Sequence, residues 1–453
     1  MNLAIWVEFR KKLLLGGNIL KKVAFYTLGC KVNQYETEAM TELFEKNGYI
    51  SVNSEEYADV YVINTCTVTH MSDRKSRQYI RRMKKKNPNA IIAVVGCYSQ
   101  VSPEEILDIE EVNLVMGTND RKAIVENIDN LTVDSKVSTV DDIMKVKDFE
   151  SIEISQTNGR TRAFIKIQDG CDRYCTYCII PYARGRIRSR KMDEIVEEIE
   201  TLSRNGFKEV VLTGIHVASY GKDLRDGSDI LTVLKEVHNI DGIERIRLSS
   251  VEPKLFTDEF ISEICSLEKL APHFHLSLQS GSDGVLQRMN RRYSAEEYKR
   301  IVEILRDRIP DVSITTDVIV GFPGESNEEF LETLGFLKEL KLMHTHIFKY
   351  SPRKGTPASI MENQIDSQTK NFRSGVLLNL CTKNFRSFVE KFKDRELRIL
   401  VEELDNDGYY EGLTDNYIRI KVRSEHDIRG EFVDVRISDI MDDYCVGELI
   451  SKY

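Results

Sequence analysis

Cys171, Cys175 and Cys178 lie on one short stretch, Cys-Asp-Arg-Tyr-Cys-Thr-Tyr-Cys, with three and then two residues between them. They follow the strand-like apolar run Ala163-Phe-Ile-Lys-Ile167. Three thiolates on one loop can hold three irons of a [4Fe-4S] cube and leave the fourth iron open to a small molecule. The competing reading is a structural zinc knuckle, but such sites are closed and draw on two separated cysteine pairs or on cysteine and histidine pairs. No second pair lies nearby. A cube with one iron open implies chemistry at the cluster.

Three further cysteines, Cys30, Cys66 and Cys97, each follow an apolar run: Val23–Leu28, Asp59–Ile63 and Ala90–Val95. Helical periods over 34–47 and 72–86 separate the runs, so the order strand, helix, strand, helix, strand predicts parallel strands joined by right-handed crossovers. Ligand sites in open α/β sheets lie at the carboxyl ends of the strands. Three cysteines at three such ends should converge on a second cluster. Taken singly, each has the plainer reading of a small buried hydrophobe. Together, with Gly29 and Gly96 allowing close backbone approach, they favour ligation. Cys265, Cys381 and Cys445 lack this setting and read as core or incidental residues.

These sites must be carried by more than one core, since 453 residues exceed a single ordinary domain. The net charge of −9 argues against a wholly basic surface, though not against local basic patches. Nine cysteines fit metal ligation in a reducing cytoplasm better than a disulfide framework. The first twenty residues contain no run of about 18 apolar residues that would span a bilayer. Their basic residues follow rather than precede Ile5-Trp-Val7, which argues against a signal peptide. Gly16-Gly17 reads as a translated ribosome-binding segment, with the true start near Leu20.

The fold class expected is α/β, in consecutive parts: an extension at 1–20, an open parallel-sheet domain at 21–133, a polar linker at 134–156, a core at 157–388 and a terminal domain at 389–453. Candidate core strands at 162–167, 209–213, 244–248, 273–278, 313–320 and 344–350 alternate with helical periods. They predict a partial (β/α)6 barrel whose active site lies where strands become loops. After Arg395, the runs 397–401, 417–422 and 432–437 predict a small antiparallel β-barrel.

The spacing of Cys171, Cys175 and Cys178, with Tyr177 before the last, resembles the radical S-adenosylmethionine superfamily. With Cys30, Cys66 and Cys97 ahead of it, the order resembles the methylthiotransferase family: a cluster domain, a radical core and an RNA-binding TRAM domain. The same order holds Pro181-Tyr-Ala-Arg-Gly185, Leu276-Ser-Leu-Gln-Ser-Gly281, Arg288-Met-Asn-Arg291, Gly321-Phe-Pro-Gly-Glu325 and Tyr350-Ser-Pro-Arg353. Gly29-Cys-Lys-Val-Asn-Gln-Tyr-Glu-Thr37 looks like the branch acting on N6-threonylcarbamoyladenosine of tRNA; the isopentenyladenosine branch usually has Gln-Met in place of Lys31-Val32. Other members act on an aspartate of a ribosomal protein. A rival from another class is an RNA-binding protein with structural metal centres.

The resemblance implies two [4Fe-4S] clusters and two S-adenosylmethionine molecules per turnover. Cys171, Cys175 and Cys178 would carry the cluster that cleaves the cofactor to a 5'-deoxyadenosyl radical, which removes hydrogen from C2 of the adenine. Cys30, Cys66 and Cys97 would hold the auxiliary cluster that carries or supplies sulfur. It further implies Tyr177 against the cofactor's adenine, Thr213 and Gly214 beside its methionine amino group, and Ser249, Gln279 and Asp317 as polar contacts. The partners would be a tRNA anticodon stem-loop, an electron donor such as flavodoxin or ferredoxin and a sulfur source, with no membrane. RNA contact is expected at Arg184, Arg186, Arg188 and Arg190, and at Arg419, Lys421 and Arg423, which alternate along one strand near Tyr417. Arg74, Lys75, Arg77, Arg81, Arg82 and Lys84–Lys86 make one helix basic, either a further contact or a solvated face.

Overall fold

A computed structural model describes residues 20–450 apart from Thr69, Glu153 and residues 156–160. The N-terminal extension lies outside the described residues except for Leu20. The chain divides into two compact units between Ile143 and Met144. No described helix is long and apolar enough to cross a membrane.

The first unit is built on a six-stranded parallel sheet in the order β2-β1-β3-β4-β5-β6. Its strands are β1 (Lys22–Thr27), β2 (Ile50–Val52), β3 (Val60–Thr65), β4 (Ile91–Gly96), β5 (Leu114–Val115) and β6 (Val137–Ser138). β3 and β4 carry runs buried on nearly every residue, as a parallel strand covered on both faces requires. Helix α1 (Lys31–Lys46) follows β1, α2 (His70–Lys86) follows β3, and α3 (Cys97–Val101) starts directly at the end of β4. The three long strands, β1, β3 and β4, are neighbours, so their carboxyl ends lie side by side. β6 falls within the stretch expected to be a linker; two residues are too short to give a periodic signal.

In the second unit β7 (Arg162–Asp169), β9 (Glu209–Gly214) and β10 (Arg245–Leu248) form one parallel sheet, with the two-residue β8 (Arg188–Ser189) antiparallel on the outer side of β7. β11 (His273–His275), β12 (Ser313–Val320) and β13 (His344–Lys349) form another. Single parallel bridges, Ile246 to Leu270 and Val251 to Leu276, join the two into an arc. Among the described residues no pairing returns β13 to β7, so this is the open six-stranded barrel that the alternation of runs implied.

Parallel strands buried on both faces read as continuous apolar runs, but three of these do not. Arg245-Ile-Arg-Leu248, His273-Phe-His-Leu276 and His344-Thr-His-Ile347 alternate. Ile246, Leu248, Phe274, Leu276, Ile314, Val318 and Val320 join the core shared with the surrounding helices. Successive side chains point to opposite faces, so Arg245, Arg247, Ser249, His275, Thr315, Asp317, His344 and His346 line the inside of the arc. The lumen is therefore polar.

Residues 396–449 form a closed five-stranded barrel, ordered β14 (Glu396–Leu404), β15 (Tyr410–Thr414), β16 (Arg419–Val422), β18 (Cys445–Leu449) and β17 (Phe432–Ile440). It closes the amino-terminal end of the arc. Glu209 receives Arg245 Nη1 at 2.9 Å and Arg247 Nε at 2.8 Å. Arg247 Nη2 donates onward to the Thr414 carbonyl at 2.7 Å, and Ser313 Oγ to the Asn416 carbonyl at 2.5 Å. The Tyr417 ring stacks on His273 with centroids 4.1 Å apart.

Candidate active site

In the first unit each cysteine of the set Cys30, Cys66 and Cys97 stands at the carboxyl end of its strand or one turn beyond. Cys30 is the N-cap of α1, and Cys97 is the first residue of α3. A Cβ added at Gly29 would lie 3.0 Å from Cys66 Cβ, which measures how closely the first two strand ends approach. Gly96 has φ +97°, a conformation L side chains rarely adopt, and it delivers Cys97 directly into the helix. Two asparagines that the sequence reading passed over bind these ends together. Asn33 Nδ2 donates to the Leu28 and Thr65 carbonyls at 2.8 and 3.0 Å, and Asn64 Nδ2 donates to the Asn33 carbonyl at 2.9 Å. The Cys30 Sγ points to Asn33 Oδ1 at 3.9 Å.

In the second unit the loop bearing Cys171, Cys175 and Cys178 leaves the end of β7. Gly170 begins it at φ +72°, where a Cβ would collide with the Arg186 carbonyl. Beneath it Asp169 is buried among cations: Lys166 Nζ at 2.6 Å, Arg184 Nη1 at 3.4 Å and Arg188 Nη2 at 3.6 Å. Burial alone would raise this carboxyl; the three cations win and hold it far below the ordinary carboxylate range. Thr176 anchors the loop to the helix Asp283–Arg288 region by its N–H to the Met289 carbonyl at 3.1 Å and its hydroxyl to the Arg288 carbonyl at 2.8 Å. Arg291 Nη1 reaches Cys175 Sγ at 3.3 Å.

Burial, with the charge of Cys175 second, pushes the Cys178 thiol up to about 12, and burial pushes Cys171 up to about 11. Metal ligation requires thiolates, so without a cation Cys171 and Cys178 are costly to ionise. Among the described residues the sole triplet close enough for one ion is His275, Asp317 and His346. Each set offers three thiols, the donor chemistry of iron–sulfur ligation.

The side chains expected to contact cofactor occupy the rim and lumen of the arc. Tyr177 is packed with Val285, Met289, Phe322, Tyr350 and Ala358. Phe322 belongs to the turn 321–325, which Glu325 staples by accepting from Gly321 N–H and Arg373 Nη1, both at 2.6 Å. Thr213 and Ser249 are buried at the ends of β9 and β10, and Gly214 abuts Gln168. Gln279 has φ +72° and bridges to β12, its N–H on the Asp317 carbonyl at 2.8 Å. The Asp317 carboxylate is 3.2 Å from His275 Nε2.

The basic run after the cluster loop is corrected by the structure. Arg184, Arg188 and Arg190 are buried in ion pairs, the first two on Asp169 and the third on Glu198 and Glu194, so they cannot present charge to RNA. Sequence spacing alone cannot distinguish an arginine paired by a distant carboxylate from a solvated one. Arg186 remains exposed. Arg419, Lys421 and Arg423 do share the outer face of β16, but Glu411 lies 3.2 Å from Arg419, Asp405 lies 2.8 Å from Lys421, and Arg423 covers the Tyr409 ring. Tyr417 is spent on His273. On α2, Arg74, Lys75, Arg81 and Lys85 are exposed with no acidic partner among the described residues.

Charged residues beside the cluster loop that sequence reasoning assigned no role include Glu252, Arg173, His216 and Arg291. Burial would raise Glu252, but His216 at 3.3 Å and the charges of Arg173 and Arg291 hold it at about 2. Lys166 had a legible signal, a lone charge inside an apolar strand.

The description "Radical SAM superfamily" matches residues 165–337, and "Uncharacterized protein family UPF0004" matches residues 22–117. Threonylcarbamoyladenosine tRNA methylthiotransferase MtaB of Bacillus subtilis is 42% identical, covering 94% of this chain and 96% of that protein. The protein of that name from Thermotoga maritima is 37% identical, covering 94% and 97%. tRNA-2-methylthio-N(6)-dimethylallyladenosine synthase of Acetivibrio thermocellus is 34% identical, covering 96% and 92%. Among solved structures, the radical S-adenosylmethionine methyltransferase TsrM from Kitasatospora setae, with cobalamin and a [4Fe-4S] cluster bound, has TM-score 0.54 at 16% identity, covering 76% and 74% of the two chains.

Proposed function

This chain belongs to the radical S-adenosylmethionine tRNA methylthiotransferases, and from that premise we propose that it converts N6-threonylcarbamoyladenosine at position 37 of tRNA to the 2-methylthio derivative. The observation that carries the reading is a cysteine triplet in each unit at the carboxyl side of a parallel sheet: Cys30, Cys66 and Cys97 after three neighbouring strands, and Cys171, Cys175 and Cys178 on the single loop that leaves β7. The threonylcarbamoyl branch is supported by the Lys31-Val32 signature and by the names of relatives at 37% to 44% identity.

Cys171, Cys175 and Cys178 would hold one [4Fe-4S] cluster and Cys30, Cys66 and Cys97 the other. With both bound, the clusters and two S-adenosylmethionine molecules supply C–H cleavage, sulfur and methyl group. The chain's own residues set the stage for this. Asp169, locked by Lys166, Arg184 and Arg188, fixes the base of the cluster loop. Arg291 offers a hydrogen bond to a ligand sulfur, a contact of the kind that tunes cluster potential. The apolar group around Tyr177 offers a flat face for an adenine. The amino-terminal end of α1 favours the net negative charge of a thiolate-ligated cluster at Cys30. Arg186 and the α2 cations Arg74, Lys75, Arg81 and Lys85 supply phosphate contacts; electrons come from a flavodoxin-like or ferredoxin-like donor, and sulfur from a separate source.

The test is direct. Anaerobically reconstituted enzyme, a reductant and S-adenosylmethionine are incubated with tRNA bearing N6-threonylcarbamoyladenosine, and the digested nucleosides are weighed. The 2-methylthio derivative should appear. An unchanged nucleoside, alongside methylthiolation of dimethylallyladenosine tRNA, would refute the assignment.

A further inference from the structure

Inside the arc, β11, β12 and β13 present a polar wall that includes a buried nitrogen, His275 Nε2, without a hydrogen-bond partner. Register sets Thr315 beside both His275 and His344, and Asp317 beside His346. His275 Nδ1 is fixed by Thr315 Oγ1 at 3.0 Å, and the same hydroxyl lies 3.1 Å from His273 Nε2. His273 is in turn clamped by Tyr417, so the wall is braced from the floor of the lumen. The other nitrogen, His275 Nε2, is buried and 3.2 Å from Asp317 Oδ2, yet lacks the alignment of a hydrogen bond. Ser249 Oγ, also on the lumen face, is buried without a hydrogen-bond partner. His346 stands exposed beside them, its ring 5.6 Å from that of His275. Leaving a buried polar group incomplete costs about 1–3 kcal/mol, so His275 Nε2 and Ser249 Oγ mark a place where a polar ligand completes the set.

Resting on the reading above, we propose that His275, Asp317 and His346 form the subsite for the threonylcarbamoyl arm of the substrate nucleoside. That arm carries a carboxylate, a hydroxyl and a urea, and the wall matches it group for group. The two imidazoles offer N–H donors to the carboxylate, and Asp317 accepts from the hydroxyl or the urea N–H. An apolar dimethylallyl arm would bury all three without replacing their water. A site built to hydrogen-bond its substrate rejects an analogue lacking those groups far more strongly than an apolar pocket rejects an added group. These same residues therefore discriminate between the two kinds of modified adenosine.

The experiment compares His346→Phe and His346→Gln with the unaltered full-length enzyme on two anticodon stem-loops, one bearing threonylcarbamoyladenosine and one dimethylallyladenosine. Iron content and melting temperature establish that each variant is folded and loaded. His346→Phe should lower kcat/KM for the threonylcarbamoyl RNA by about 10- to 100-fold, the loss of a hydrogen bond to a charged group. It should also narrow the preference between the two RNAs, and His346→Gln should restore part of it. Equal losses on both RNAs, or no loss, would overturn the proposal. So would a stoichiometric divalent metal ion in the purified enzyme that disappears in His346→Phe, since this triplet is also spaced for one ion. If the unaltered enzyme fails to modify the threonylcarbamoyl RNA at all, the assignment of function fails instead, and the two failures are distinct.

Discussion

At the scale of single residues, the proposed function gives the two cysteine sets separable duties. On that proposal Cys171→Ala would remove a ligand of the cluster that binds the cofactor, so reductive cleavage of S-adenosylmethionine should fall to background. Cys30→Ala should leave cleavage intact and stop sulfur insertion. Following 5'-deoxyadenosine and methylthiolated nucleoside in parallel checks both; loss of both products in both variants would contradict the division. Asp169 carries a different consequence. Its carboxyl, held far below the ordinary value of about 3.9 despite burial, contributes stability that is complete above that value and is lost as pH falls through and below it. Asp169→Asn leaves Lys166, Arg184 and Arg188 short of a counter-charge and should cost about 3–5 kcal/mol near pH 7. Denaturant unfolding of the metal-free protein should show a steeper loss between about pH 5 and pH 3 in the unaltered chain than in the variant. The placement of Cys30, Cys66, Cys97 and the loop beginning at Cys171 just after strands was legible because each follows a strand signal. The buried arginines were not, because their partners are set by the fold and not by the local sequence.

At the scale of elements, the long strands were readable from apolar runs and the short ones were not. In the terminal barrel, β14, β16 and β17 announce themselves, whereas β15 and β18 are interrupted by Gly412 and Gly447. Those glycines are structural. A Cβ at Gly412 would lie 2.5 Å from the Leu400 carbonyl of the neighbouring strand, and one at Gly447 would lie 3.0 Å from that of Arg436. Glycine in a strand weakens the strand signal while allowing the close backbone approach a tight barrel needs. Gly412→Ala should therefore destabilise by about 1–3 kcal/mol. Gly335, mid-helix in Asn327–Leu340 with open space around a would-be Cβ, should gain about 0.5–1 kcal/mol on substitution by Ala. Melting curves of the two variants should move in opposite directions; a shared direction would contradict the packing argument. The alternation of Arg245, Arg247, His273, His275, His344 and His346 with apolar residues was equally visible, and it reports a polar lumen where a filled barrel would be apolar.

At the scale of the whole molecule, the chain joins a parallel-sheet unit to an open barrel whose floor is closed by a small β-barrel. The order of these parts was legible from the sequence. The use of the terminal barrel as a floor was not, since Thr414, Asn416 and Tyr417 meet Arg247, Ser313 and His273 only after folding. The claim on which everything else depends is that each unit holds its own cluster by three thiolates. The most direct measurement is iron and sulfide per chain after anaerobic reconstitution, for the unaltered protein and for the variants lacking either triplet. The account predicts about eight irons in the unaltered chain and about four in each triple-alanine variant. About four irons in the unaltered chain, unaffected by loss of Cys30, Cys66 and Cys97, would contradict it.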